Sequence, residues 1–347
     1  MNIRDVAQRA GVSISTVSRV LNDTGYPVKP ETRQRVLEAV EELGFRPNDL
    51  ARGLHLKRTR TVGLVIPDIT NPYYPELALG VEATASGEGY SVIFCNTNRR
   101  AEKLEHYVDV LLQKRADGII IAGGGTDFSP VSQVLSDFDI EAAVIGRHNL
   151  PFPSVQIDNV GAAYEATSHL VELGHERIAF ISGPLSLTSV QDRLNGYREA
   201  LRRRGIERDD RLVREGDFQP ESGYSAARSL LQGSVRPTAI FAANDRMAIG
   251  AMAAAFDLGM EVPEEVSIVG FDDITMASYV RPALTTVSLP GYEMGASAMR
   301  LILKLISGKE CPRVTWLPAE LVVRDSSGPP PRSDGSPIRK GGVEDKI

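Results

Sequence analysis

Apolar residues in the first 45 positions recur at spacings of three and four, in short runs that each stop at a turn signal. Val6, Ala7 and Ala10 line one face of a first helix, which Asn2 can cap and Gly11 closes, with the Asp5 carboxylate at its positive end. After Gly11-Val12-Ser13, Ser13 can cap a second helix running to about Leu21, with Val17, Val20 and Leu21 facing inward. Residues 22–28 read as a loop. Pro30 suits the first turn of a third helix that carries Val36, Leu37, Val40 and Leu43 and ends before Gly44. From Thr61 the period changes. β-rich runs at 62–66, 91–95, 118–122, 143–145, 178–182, 239–242 and 267–270 alternate with helical stretches such as 102–114, 162–173, 193–203 and 247–258. Such alternation predicts parallel sheets with helices on both faces, and its length suits two similar lobes better than one sheet.

The 347 residues are 42% hydrophobic and 24% charged, the balance of a globular protein with room for two or three domains. No run reaches the roughly 18 apolar residues of a membrane span. The opening Met1-Asn2-Ile3-Arg4-Asp5 is charged and helix-like where a secretory leader would turn apolar, which predicts a cytoplasmic protein. Cys95 and Cys311 stand far apart and the five histidines show no ligand spacing, so neither a disulfide, a metal nor a resident cofactor is expected. A net charge of −6 looks wrong for contact with nucleic acid, but its distribution does not. The first 60 residues carry 11 basic and 7 acidic side chains, the remainder 28 and 38. A basic head on an acidic body fits a protein of which one end meets phosphate.

Two short helices about a tight turn at Gly11 let the second lie in a major groove while the first braces it. Its outward residues would be Ile14, Ser15, Thr16, Ser18 and Arg19. Arginine suits guanine, serine and threonine suit phosphates or base edges, and isoleucine can touch a thymine methyl. A plain three-helix bundle with a solvated face accounts equally for the spacing alone. The residues themselves separate the two. Ile3-Arg4-Asp5-Val6-Ala7, Ala10-Gly11-Val12-Ser13, Ser15-Thr16-Val17-Ser18-Arg19-Val20-Leu21-Asn22, Pro30-Glu31-Thr32-Arg33 and Glu42-Leu43-Gly44-Phe45-Arg46-Pro47-Asn48 closely resemble the head of the LacI–GalR family of repressors. The likeness resumes at Thr61-Val62-Gly63-Leu64-Val65-Ile66-Pro67-Asp68, Asn71-Pro72-Tyr73-Tyr74, Leu173-Gly174-His175, Phe241-Ala242-Ala243-Asn244-Asp245 and Val269-Gly270-Phe271-Asp272-Asp273.

The resemblance implies a helix-turn-helix head over 1–46, a hinge helix and linker over 47–60, and a two-lobed sensor over 61–325 like the periplasmic sugar-binding proteins. Its first lobe would span about 61–158 and 290–318, its second about 159–289 and 319–325; residues 326–347, rich in Gly, Pro and Ser, read as a disordered tail. It also implies that Ile14, Ser15 and Arg19 read bases while Ser13, Thr16, Ser18 and Asn22 hold phosphates, in a homodimer on a near-palindromic operator. Lys29 departs from the pattern, standing where the third helix usually has a Ser or Thr cap. The hinge is too short to hold a helix alone in water, and Gly53 weakens it further, so it is expected to become helical on DNA. Ala51 and Leu54 are its candidate contacts, with Leu54 the wedge at a central base step in the minor groove.

For the sensor, the resemblance implies a small effector, a sugar first of all, held between the lobes by Arg193 and Asp272, with Phe218 as a stacking face and Asn244 as a further polar contact. Tyr73, Tyr74 and Arg147 are looser candidates from the first lobe. Arg193 and Asp272 could instead be a structural ion pair. Gly123-Gly124-Gly125 follows a strand without the residues of a phosphate loop, and His175 reads as structural. A transport-type sugar-binding protein would need a leader and no head. A nucleotide-dependent α/β enzyme would need a catalytic set, and no nucleophile, base and orienting partner are visible.

Overall fold

The computed structural model describes residues 2–22, 26–45, 58–123, 129–138, 140–148 and 150–331. The chain forms two compact units, one holding the residues up to Thr61 together with Gln113–Asp117, the other holding the rest. No described helix is long and apolar enough to cross a membrane.

In the first unit, α1 (Ile3–Ala10), α2 (Ile14–Asn22) and α3 (Pro30–Glu42) follow from local signals. Asn2 Oδ1 accepts from the N–H groups of Arg4 and Asp5 at 2.8 and 3.3 Å, and the Asp5 carboxylate accepts from Asn2 N at 2.7 Å, so each end of the box satisfies the other. Gly11 closes α1 at φ 63°, a conformation that costs a side-chain-bearing residue dearly. Ser13 Oγ accepts from Thr16 N at 3.2 Å, whereas α3 starts at Lys29 with no side-chain cap. The head's core is Val6, Ala7, Ala10, Val17, Val20, Val36 and Ala39. Leu37, expected in the α3 stripe, is exposed: it stands about 100° around the helix from Val36, outside the buried arc. Residues 59 and 60 are fastened by Asp117, whose carboxylate accepts from Thr59 N and Arg60 N at 2.8 and 2.9 Å.

The second unit holds two sheets. The first is built from β1 (Thr61–Ile66), β2 (Ser91–Asn96), β3 (Gly118–Ala122), β4 (Glu141–Ile145), β5 (Ser154–Ile157) and β11 (Val314–Leu317), in the order β11-β5-β4-β3-β1-β2. The second contains β6 (Ile178–Ser182), β7 (Val213–Glu215), β8 (Ala239–Ala242), β9 (Ser267–Asp272), β10 (Thr285–Ser288) and β12 (Glu320–Val322), in the order β12-β10-β9-β8-β6-β7. Pairing is parallel from β11 through β1 in the first sheet and from β10 through β7 in the second, while β12 runs antiparallel to β10 at an edge. The chain passes between the sheets after β5, after β10 and between β11 and β12. Helices α4 (Tyr73–Gly87), α5 (Ala101–Gln113), α6 (Ser129–Asp137), α7 (Asn159–Glu172), α8 (Thr188–Arg203), α9 (Pro220–Leu231), α10 (Asp245–Asp257) and α11 (Gly291–Ile306) connect the strands. Central strands such as β3, β6 and β9 are buried along their whole length, as parallel strands covered on both faces must be.

Elements not picked out in the hydrophobic pattern are β5, β7, β10, β11, β12, α4, α6, α9 and α11. The strands are three or four residues long, too short to show a period. Helices α4 and α11 approach each other closely at two glycines. A Cβ on Gly80 of α4 would stand 1.9 Å from the Tyr292 carbonyl oxygen, and one on Gly295 of α11 would stand 2.0 Å from that of Leu77.

The disordered tail expected from 326 is corrected by the structure, which places the chain as far as Pro331. Ser326 is fully buried; its Oγ donates to Ile268 O at 2.5 Å and accepts from Thr285 N at 2.8 Å. Gly328 N donates to Ser267 Oγ at 3.0 Å, and the buried His175 donates from Nε2 to Gly328 O at 2.8 Å. Backbone groups seated on the sheet hold this segment, and composition does not register them. Residues 332–347 lie outside the described residues.

The tight approach of α4 and α11 has a measurable sign. Gly295→Ala should lower stability by about 1–3 kcal/mol. Gly87→Ala, in the same α4 with nothing within 4 Å of the new methyl, should be neutral or stabilising, by up to about 1 kcal/mol. Thermal unfolding of the two variants checks this.

Candidate functional site

The outward face of α2 is polar and open. Ser13, Ser15 and Arg19 are exposed, Ile14 is 44% exposed, and Thr16 and Ser18 are half-buried. Ser13 Oγ lies 2.7 Å from Ser15 Oγ and 2.9 Å from Thr16 Oγ1, which gathers three hydroxyls at the positive end of the helix. Hydroxyls and free N–H groups at a helix N-terminus are a natural seat for a phosphate. Arg19 lies over the exposed ring of Tyr26, 5.0 Å from its centre. The Asn22 side chain, Ala51 and Leu54 fall outside the described residues.

In the second unit a cavity of about 530 Å³ opens among the carboxyl ends of the strands. Arg99 follows β2, Gly123 follows β3, Gly146 follows β4, Phe218 follows β7 and Asp272 ends β9; Ser186 precedes α8, and Ser189 and Arg193 lie in its first two turns. Strand ends of parallel sheets are where ligands bind, because loops and helix N-termini converge there. Arg193 is nearly buried and held at Nε and Nη1. Its Nε donates to Asn159 Oδ1 at 2.9 Å, its Nη1 donates to Ala243 O at 2.5 Å, and its guanidinium lies 3.6 Å from the centre of the Phe271 ring. Nη1 also lies 3.9 Å from Asp272 Oδ1.

The backbone bends sharply to present these groups. Asp272 and Asp273 have φ of 117° and 56°, and Phe218 has φ of 67°, conformations that cost a non-glycine residue about 1–3 kcal/mol each. Local bonds hold them: Arg324 Nη2 donates to Asp273 at 2.7 Å, Asn71 hydrogen-bonds the Asp272 carboxylate, and Asn244 Nδ2 donates to Phe218 O at 3.2 Å. The Phe218 ring rests on Gly183, where a Cβ would come within 2.3 Å of it, and the Arg99 guanidinium lies 4.9 Å from its centre.

Burial dominates the electrostatics. It pushes the Asp272 carboxyl up to about 6, against the opposing pull of Arg193 and Asn71. Beneath it, burial and then the Asp272 charge push Asp245 up to about 7, although Asp245 accepts from Thr286 Oγ1 at 2.5 Å and Ile274 N at 2.8 Å. Burial likewise raises the Tyr74 hydroxyl to about 12 and that of Tyr73 further, and lowers Arg193.

A compact helical head joined to a paired-sheet unit with a polar cavity at its strand ends invites comparison with known proteins. Residues 2–48 match the family described as bacterial regulatory proteins, lacI family, and residues 59–325 match periplasmic binding proteins and sugar binding domain of LacI family. The chain belongs to the LacI family. It is 40% identical to catabolite control protein A of Priestia megaterium, over 94% of this chain and 99% of that one. It is 42% identical to the HTH-type transcriptional regulator DegA of Bacillus subtilis, over 94% and 98%. The solved lac repressor dimer bound to operator and the anti-inducer ONPF superposes with a TM-score of 0.87 at 31% identity, covering 94% of this chain and 99% of that one.

Of the seven cleft residues expected in this LacI-family chain, Tyr73, Tyr74, Arg193, Phe218 and Asp272 share the cavity wall. The other two stand outside that wall. Asn244 is buried outside the wall: its Oδ1 accepts from Met247 N at 2.9 Å, capping α10, and its other end steadies Phe218. Arg147 is half-exposed and also outside it; its Nη1 meets Asp192 Oδ1 at 2.5 Å, and its carbonyl accepts from Thr188 Oγ1 at 3.2 Å. Both follow strand ends, which made them plausible, but a local cap and an ion pair consume them. Missed in the sequence were Asn71, Arg99, Arg100, Asn159, Ser186 and Ser189. The polar run Thr97-Asn98-Arg99-Arg100 directly after a predicted strand was the available signal for two of them.

The raised Asp245 pKa ties stability to pH. An acid whose folded pKa exceeds its unfolded value near 3.8 contributes stability that is fully present below about pH 4 and is lost as pH rises through about 7. Asp245→Asn keeps both hydrogen bonds, accepting from Ile274 N and donating to Thr286 Oγ1. Its melting temperature should therefore fall less than that of the unchanged protein between pH 5 and 8. An equal fall would show that Asp245 does not titrate in this range.

Proposed function

We propose that this chain is a ligand-controlled transcription repressor that binds a near-palindromic operator as a homodimer and reads a small polyhydroxylated effector in the cavity. What carries the reading is the presence in one chain of an open, hydroxyl-rich α2 face and a cavity walled by Arg193, Asp272 and Phe218. On the DNA side, Ile14, Ser15 and Arg19 reach base edges, while Ser13, Thr16, Ser18 and Asn22 engage phosphates at the helix end. Ala51 and Leu54 belong to the hinge contact with the minor groove. On the sensor side, the Arg193 and Asp272 pair presents donors and acceptors to neighbouring hydroxyls, and Phe218 and Tyr74 offer flat apolar surface to a ring. Two-fold symmetry of the dimer matches two half-sites. The first unit gains or loses operator affinity according to which state of the second the effector prefers, and by no more than its differential affinity.

The catalytic-enzyme alternative has no observation in its favour, and the relatives named above are transcription regulators. Arg19→Ala should weaken binding to a duplex selected by the protein from a random pool by roughly tenfold or more, and relax base preference at one position per half-site. Fluorescence anisotropy on the full-length protein reads both. Undiminished affinity would remove α2 from the role of recognition helix.

A further inference from the structure

The cavity's charge is lopsided. Its wall carries three arginines, Arg99, Arg100 and Arg193, against the single carboxylate of Asp272. Arg193 is matched by Asp272. Arg99 lies 3.6 Å from Asp68, but that carboxylate is already occupied: it accepts from Thr70 Oγ1 at 2.6 Å, Gln219 Nε2 at 3.1 Å and Arg246 Nη1 at 3.2 Å. Asp217 adds one more negative charge in the neighbourhood of Arg99. Among the described residues no carboxylate pairs with Arg100. Arg100 thus stands on the cavity wall without a carboxylate of its own.

The segment that carries Arg99 and Arg100 is rigid. Thr97 N donates to Ile66 O at 2.9 Å and Arg99 N to Pro67 O at 3.0 Å, while Arg100 O accepts from the first turn of α5. Across the cavity α8 starts with no side-chain cap and no acidic residue in its first turn, next to the Ser186 and Ser189 hydroxyls. An exposed cation without a carboxylate partner, on the wall of a cavity of about 530 Å³ that suits a mono- or disaccharide-sized compound, is matched by a ligand bearing its own negative charge. We propose that the effector is an anionic polyol, a sugar derivative carrying a phosphate or carboxylate whose charged group docks at Arg99 and Arg100 while its hydroxyls meet Arg193 and Asp272. This deepens the sensor reading above and rests on it.

Isothermal titration and thermal shift on the full-length protein decide the matter with matched sets: glucose, glucose 6-phosphate and gluconate; ribose and ribose 5-phosphate; fructose and fructose 6-phosphate. Inorganic phosphate is added at constant ionic strength. A charged member should bind at least roughly tenfold more tightly than its neutral parent, the value of one charge-assisted hydrogen bond. Phosphate-bearing and carboxylate-bearing members distinguish the two sources of charge. Arg100→Ala, at an exposed position where folding is not at stake, should remove that preference, and Arg100→Lys should restore much of it. A neutral sugar that binds as well as its charged partner, and is lost in Asp272→Ala, would overturn the anionic assignment and leave the sensor reading standing. Binding that survives both Arg193→Ala and Asp272→Ala would defeat both. Absence of any anion-dependent shift, or a phosphate shift unchanged in Arg100→Ala, would overturn the proposal.

Discussion

The buried pairing of Arg193 with Asp272 is the constraint around which the cleft is organised. Leaving either charge alone in that position would cost several kcal/mol, so everything nearby serves to keep both satisfied. Asn159 and the Ala243 carbonyl accept from Nε and Nη1 of Arg193, and the Phe271 ring carries its face. Asn71 supports Asp272, while Arg324 holds the next residue in its left-handed turn. At 3.9 Å the pair is close enough to neutralise and loose enough to admit competing donors and acceptors. A ligand hydroxyl can therefore enter without stranding a charge.

Two further links join the sheets' loops and differ in kind. Asp68, at the end of β1, gathers Gln219 and Arg246 in a network that is largely buried. Arg147 and Asp192 form a half-exposed pair. Exposed pairs contribute about 0–1 kcal/mol and weaken in salt, whereas the Asp68 network is shielded from it. The Asp68 network is thus the stronger of the two links, and the Arg147 pair with Asp192 the weaker.

Much of this was legible in the linear pattern. The first three helices announced themselves through Asn2, Gly11 and Pro30, each a residue whose chemistry serves a helix end. Buried central strands appeared as short apolar runs. What stayed hidden had physical reasons. Helix α4 has apolar residues on several sides and so shows little helical period, and its close approach to α11 at Gly80 and Gly295 leaves no hydrophobic signal. Ser326 and Gly328 are held by backbone hydrogen bonds that composition does not encode. At the site, Arg193, Asp272 and Phe218 followed from the family resemblance. Arg99 and Arg100 did not: the polar run after β2 marks them, but only the folded arrangement shows that they line the cavity. Asn244 shows the converse: a polar residue at a strand end that caps the next helix in the fold.

Coupling between cleft and operator is the central claim, and reciprocity measures it most directly. Operator affinity would be determined across a range of concentrations of a compound that binds the cleft, and affinity for that compound determined with and without saturating operator. Thermodynamic linkage requires the two affinities to change by the same factor, expected to lie between about 5-fold and 150-fold. A compound that fills the cleft in an Asp272-dependent way, yet leaves operator affinity unchanged, would contradict the reading of this chain as a ligand-controlled repressor.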